Sequence, residues 1–174
     1  MELLIVIDMQ KDFIDGALGT KEAQAIVEDV VIQIENFVGQ VVYTMDTHEE
    51  QYLTTQEGRN LPVVHCIRGS DGWKLEERIQ ALATKNNARI FEKPTFGSMD
   101  LAQYVKTLYE QKGLTKVVLM GLCTDICVIS NAMLIKAAVP ELAIEVKESC
   151  LAGVTKESHE NALQAMKMCQ IKVV

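Results

Sequence analysis

The sequence predicts a doubly wound α/β fold: a parallel, Rossmann-like sheet of about six strands with helices on both faces. Two observations carry this. Short β-rich runs alternate with stretches of helical period along the whole chain. The first run, Leu3–Ile7, is apolar at every position, as suits a strand covered on both faces. A chain of 174 residues is expected to form a single domain, residues 1–174.

Taken in order, Leu3–Ile7 is the first strand and ends at Asp8. Ala23, Ile26, Val27, Val30, Val31, Ile34, Phe37 and Val38 form a helical stripe over Glu22–Val38, leaving Glu22, Glu28, Asp29 and Glu35 for the wet face. Gly39 breaks the stripe and Val41–Thr44 follows as the second strand. From Asp46 to Gly72 no period is clean. Gly58, Pro62 and Gly69 mark a long loop with room for one short strand at Val63–Val64. Loops of that length inside a domain are commonly functional. Trp73–Ala83 reads as a short amphipathic helix and Arg89–Phe91 as the third strand. Leu101–Leu108 begins a helix closed near Gly113, and Lys116–Met120 is the fourth strand, ending at Gly121. A helix over Thr124–Val139 is apolar almost all round, which predicts burial, and Pro140 stops it. A strand at Leu142–Val146, a helix at Lys156–Met168 and a terminal strand at Ile171–Val174 complete the pattern.

Charge excludes several classes of function. With 24 acidic against 17 basic residues, the net charge is −7. That is no footprint for nucleic acid or for an anionic lipid surface. No apolar run approaches the roughly 20 residues of a membrane helix, and Met1–Asp8 has neither a basic leader nor a cleavage site. The expectation is a cytoplasmic protein with a small-molecule substrate and no membrane or nucleic-acid partner. Homo-oligomerisation is expected too, as closed symmetric assemblies are common. The odd set of cysteines (Cys66, Cys123, Cys127, Cys150 and Cys169) suits reduced thiols rather than a disulfide scaffold.

In open parallel sheets, ligands sit beyond the carboxyl ends of the strands. Those ends carry Asp8, then Asp46-Thr47-His48, then Glu92-Lys93, then Gly121 through Cys127. With Thr124 as N-cap, Cys127 falls in the first turn of the buried helix. There the helix dipole favours thiolate and backbone N–H groups face a developing oxyanion. The plainer alternative is a small core residue. Cys123 and Cys127 lack the nearby further ligands of a zinc pair. Asp8 is either a turn acid or a base for the thiol, and Lys93 either a solvated lysine or a fixed charge favouring both ionised forms. Asp46, His48 and His65 form a plausible divalent-metal set suited to zinc, iron or manganese, with Glu57 as a fourth donor. His159, between Glu157 and Glu160 on a late helix, reads as a surface or helix-capping residue.

These segments together resemble the isochorismatase-like cysteine hydrolases, and within them the nicotinamidase branch. The matching stretches are Ile7–Phe13, Asp46–Glu49, Leu61–Cys66, Glu92–Pro94 with Phe96–Ser98, and Gly121–Val128. They run in family order and cover the chain nearly end to end. The resemblance implies a triad of Asp8 as general base, Lys93 as the charged orienting group and Cys127 as nucleophile. It implies an oxyanion hole from the N–H groups of Cys123 and Cys127, with a cis peptide just before Cys123. Most relatives carry a small or apolar residue at that position. It implies stacking of Phe13 and Phe96 on a pyridine ring, and one divalent metal, zinc or else iron or manganese, on Asp46, His48, His65 and Glu57. Trp73 is a candidate to close the pocket. The activity implied is hydrolysis of nicotinamide to nicotinate and ammonia through a Cys127 thioester, a step of NAD salvage. The alternatives are another amide or ureide hydrolase of the family, such as an N-carbamoyl amidase, and a non-catalytic binder on the same fold.

Overall fold

The computed structural model describes residues 1–174. Six strands form one sheet in the order β3-β2-β1-β4-β5-β6, every neighbouring pair parallel. They are β1 (Glu2–Ile7), β2 (Gln40–Asp46), β3 (Ile90–Lys93), β4 (Lys116–Leu122), β5 (Ala143–Ala152) and β6 (Lys172–Val173). The order reverses between β1 and β4, which makes the seam between their carboxyl ends the topological switch point.

Eight α-helices accompany the sheet: α1 (Lys11–Ile14), α2 (Lys21–Ala25), α3 (Val27–Asn36), α4 (Gln56–Asn60), α5 (Glu77–Lys85), α6 (Met99–Lys112), α7 (Ile129–Ala138) and α8 (Lys156–Met168). Alternating side chains of β1 feed two separate cores. Leu3, Ile5 and Ile7 pack with residues of α6, α7 and α8 on one face. Leu4 and Val6 pack with residues of α2, α3 and α5 on the other. This two-sided burial is why the first strand has no polar alternation. Ser98 caps α6 by accepting the Leu101 N–H, and Gly113 ends it in the left-handed conformation (φ 67°). Thr155 caps α8 in a reciprocal box with Ser158. No helix is long and apolar enough to cross a membrane.

Several boundaries differ from the sequence reading. The stripe over Glu22–Val38 becomes α2 and α3, interrupted at Ile26, whose backbone stays right-handed. Residues of both pieces enter the same core, so the periodicity survives the break. The expected helix at Trp73–Ala83 starts only at Glu77, where Glu76 caps it through Arg78 and Ile79 N–H. Residues before it are used differently: Leu75 bridges to Gln10. Val63–Val64 is not a strand. The long loop instead contains a 3₁₀ turn (Tyr52–Thr54) and α4. The strand expected at Leu142–Val146 runs on to Ala152, because after extra residues in β5 Leu151 and Ala152 pair with Gly121 and Leu122. The polar Glu148 and Ser149 hide that continuation in the sequence. The helix expected over Thr124–Val139 opens with a π-helical turn, Thr124–Val128, in which Cys123 O accepts both Ile126 and Val128 N–H, before α7 begins.

Candidate active site

Four strand ends meet at the switch point. Asp8 follows β1 with a left-handed backbone (φ 46°), a conformation that non-glycine residues hold only when surroundings enforce it. Here Thr44 of β2 does so, its hydroxyl donating to Asp8 Oδ1 at 2.6 Å and its carbonyl accepting the Asp8 N–H at 3.2 Å. Lys93 ends β3 in register with Asp46. Its ammonium lies 2.7 Å from Asp8 Oδ2, 3.3 Å from Asp46 Oδ1 and 3.4 Å from Cys127 Sγ, and donates to Thr95 O at 3.1 Å. Lys93 is 1% exposed and Asp8 0%. The solvated-lysine alternative is therefore excluded. Cys127 sits in the π turn after β4, buried, and its carbonyl accepts from Asn131 Nδ2 at 2.8 Å. Asn131 also takes the Ser98 N–H and donates to Phe96 O, tying the 96–98 loop to the turn that holds Cys127.

The electrostatics correct one expectation. Thiolate was expected at rest. Burial instead pushes the Cys127 thiol well above its ordinary range and neighbouring Asp8 adds to this, with Lys93 opposing. Burial also raises Asp8, against the pull of Lys93. For Lys93, burial works against the charge, but Asp8, Cys127 and Asp46 outweigh it and keep the amine protonated. Burial thus favours the neutral form of the thiol, which stands beside the close contact of Lys93 with Asp8. A carboxyl group with a raised proton affinity is chemically suited to accept a proton from a neighbouring thiol. Thr124 is also not the N-cap. Cys123 occupies that position, without a side-chain cap bond. The Leu122–Cys123 peptide is cis, and the Cys123 N–H donates to no protein acceptor.

Asp46, His48, Glu57 and His65 converge, each placing a donor atom within 4.8 Å of the others. His48 Nε2 is 3.0 Å from Asp46 Oδ2 and 3.5 Å from Glu57 Oε1, and His65 Nε2 is 3.6 and 3.8 Å from the same two carboxylates. His65 Nδ1 is held by Val63 O at 2.7 Å, which leaves Nε2 as the inward-facing atom. His48 Nε2 is buried without an aligned hydrogen-bond partner. Burial disfavours charge on His48, yet Asp46 and Glu57 raise its pKa to about 9. Two imidazoles and two carboxylates with an orphaned inward nitrogen fit a divalent cation of the zinc, iron or manganese type.

Cys127 and three of the four metal-type donors, Asp46, Glu57 and His65, face one cavity of ≈ 250 Å³. Its walls include Asp46, Glu57, His65, Cys123 and Cys127, with Phe13 and Phe96, and otherwise mainly apolar residues such as Leu18, Leu122 and Ile126. No lysine or arginine lines it. Phe13 packs on His65 with ring centroids 5.5 Å apart, while Phe96 stands at the mouth, 44% exposed. Trp73 does not line the cavity. Its Nε1 donates to Thr47 Oγ1 at 2.9 Å, bracing the strand end behind the site. His159 is neither a free surface residue nor a helix cap, since its Nδ1 lies 2.8 Å from the hydroxyl of Thr124.

Sequence reasoning missed Thr44, Gln10 and Asn131. Gln10 is buried and grips Asp46 through both its N–H and its carbonyl, while also bonding Trp73 O. A buried amide near a strand end was the available signal. None of these residues announces chemistry by type.

The fold and this convergence of thiol, ion pair and metal-type cluster define a cysteine-hydrolase class. The model described as the isochorismatase domain matches residues 2–174, and the chain belongs to the isochorismatase family. It is 24% identical over 204 residues to a nicotinamidase of Schizosaccharomyces pombe, covering 98% of this chain and 91% of the relative. Among solved structures it resembles the nicotinamidase/pyrazinamidase PncA from Bacillus subtilis (30% identity, TM-score 0.82, 99% of this chain and 98% of that one). It also resembles the pyrazinamidase of Pyrococcus horikoshii in complex with zinc (28% identity, TM-score 0.80, 99% and 98%).

Proposed function

We propose that this enzyme hydrolyses nicotinamide to nicotinate and ammonia. The observation that carries the reading is one small apolar cavity, free of lysine and arginine, lined by Cys127 and by Asp46, Glu57 and His65, three members of the four-residue set that His48 completes from outside the lining. At ≈ 250 Å³ it falls below the range of about 300–1,000 Å³ typical of drug-sized ligands, and suits a single ring. Its only charged lining groups are acidic, Asp46 and Glu57. In this reading those carboxylates are engaged by a divalent ion, and with no lysine or arginine on the walls to pair a substrate carboxylate such as that of a ureido acid, the lining favours a neutral ring carboxamide.

In this reading Cys127 Sγ attacks the amide carbon as Asp8 accepts its proton, with Lys93 holding the carboxylate in place. The N–H groups of Cys123 and Cys127 receive the tetrahedral oxyanion. Asp8 then returns the proton to the departing ammonia, leaving a thioester on Cys127. Asp8 next takes a proton from water, whose oxygen attacks the thioester carbon; the C–S bond breaks to release nicotinate, and Asp8 returns the proton to the departing Cys127 sulfur. Asp46, His48, Glu57 and His65 would hold the divalent ion, zinc being the first choice. Bound there, the ion supplies a Lewis-acid anchor for the ring nitrogen, orienting the substrate. Phe13 and Phe96 flank the ring.

Purified protein should release ammonia from nicotinamide, and intact-mass analysis during turnover should show an adduct on Cys127. Cys127→Ala should bring turnover to background with the fold retained. Ammonia release from ureido substrates alone, or a fully active Cys127→Ala, would overturn the reading.

A further inference from the structure

We propose that His159 is a positioning residue for this reaction, acting through Thr124 on the turn that carries Cys123 and Cys127; the inference rests on the nicotinamidase reading above. Thr124 immediately follows Cys123, opens the π turn and is fully buried. Its hydroxyl has one side-chain partner, His159 Nδ1 at 2.8 Å, reached across the molecule from α8. A buried hydroxyl holds one orientation only when its partner is supplied.

A second tie supports the same connection. Both carboxylate oxygens of Asp125, the next residue of the turn, accept the Val154 N–H at 3.1 and 3.2 Å. The nucleophile turn is thus fastened side by side to the β5–α8 connection and to α8. The approach is close. A Cβ built on Gly153 would sit 2.8 Å from His159 Cβ and 3.0 Å from its Cα. Glycine is needed there for space, and Gly153 and Val154 are themselves cavity-lining residues. His159 therefore packs behind the wall that faces substrate. The imidazole also has a carboxylate oxygen of Glu148 and one of Glu160 within 4.8 Å.

The functional consequence is geometric. The Cys123 N–H and the Cys127 sulfur must address one carbonyl; Cys127 lies within the five-residue turn Thr124–Val128 and Cys123 is its N-cap. Loss of the Thr124 anchor would let that turn shift without removing any group that touches substrate. Such a change lowers kcat more than it raises KM, because oxyanion contacts matter most in the transition state.

The test is steady-state ammonia release from nicotinamide by His159→Ala, His159→Asn, His159→Gln, Thr124→Val and the double variant His159→Ala/Thr124→Val. We expect His159→Ala to lower kcat about tenfold with KM within about twofold. Asn places an amide near the Nδ1 position and should recover most of the loss, whereas Gln, one bond longer, should not. Thr124→Val should match His159→Ala, and the double variant should be no worse than either. Unchanged kcat in His159→Ala, or losses that multiply in the double variant, would overturn the proposal. If the Ala variant fails to fold, the Asn and Gln pair decides, and equal kcat in those two overturns it. Alkylation of Cys127 by iodoacetamide gives a substrate-independent arm, expected to change in His159→Ala and return with Asn. If the wild type does not turn over nicotinamide, the functional reading fails, and the alkylation series alone decides whether His159 positions the turn.

Discussion

At Cys127 opposing influences meet on one sulfur atom. Burial and the Asp8 carboxylate raise the thiol's proton affinity, and Lys93 lowers it from 3.4 Å. The sign follows directly: alkylation of Cys127 should accelerate as pH rises through and beyond the ordinary thiol range. Lys93→Ala removes a lowering influence and should move that profile to still higher pH. It also strands the buried Asp8 carboxylate, a change that usually costs about 3–5 kcal/mol, and should lower kcat by about a hundredfold or more. Lys93→Arg should recover little, since a planar guanidinium cannot reproduce a compact ammonium set among Asp8, Asp46 and Thr95. Peptide mass spectrometry of iodoacetamide-treated protein across pH reads the first effect. Identical profiles in wild type and Lys93→Ala would remove Lys93 from the chemistry.

The strand ends do the aiming, and their spacing depends on β1 and β4 lying in close register. Gly121 pairs with Ile7 one residue before Asp8. A Cβ there would meet Ile7 O at 2.1 Å, and its φ of +118° is strained for any side chain. Gly121→Ala should therefore cost at least about 2 kcal/mol and lower activity beyond the stability loss, by pushing the Asp8 and Cys127 ends apart. Urea melts together with kcat of the folded variant check this. A variant as stable and active as wild type would mean that the close approach is not needed. This pairing also marks what was legible in advance. The run Leu3–Ile7 and the acid after it were readable because full burial leaves an unbroken apolar segment. The Asp46, His48 and His65 set was readable because imidazoles are rare in this chain and two fall in one loop. The π turn was not readable, since helical periodicity does not distinguish a five-residue closure from a four-residue one across one turn. Nor was the role of His159, because its partner lies 35 residues away in sequence and only the α8 docking brings them together. Nearby acids made that histidine look solvated.

Across the whole molecule, the metal-type set stands outside the apolar cores, whereas Cys127 is itself packed into one of them. The two apolar cores lie on opposite faces of the sheet and are built by the strands and the longer helices. The Asp46–His48–Glu57–His65 cluster stands at the carboxyl edge, with three donors (His48, Glu57 and His65) on the connection between β2 and β3 rather than in either core. A small zinc module, whose metal replaces a core, unfolds when the ion is removed. Here the ion is expected to place substrate, and the cores persist without it. Dialysis against a chelator should leave far-UV circular dichroism unchanged and lower Tm by no more than a few degrees. KM for nicotinamide should rise about tenfold or more, and added zinc should restore it. His65→Ala should give the same kinetic change and resist zinc rescue, with metal content measured by elemental analysis. Unfolding on chelation would make the ion structural. An unchanged KM, with the metal shown to be gone, would remove the ring-nitrogen anchor from the mechanism and leave the cavity shape, Phe13 and Phe96 to orient the substrate alone.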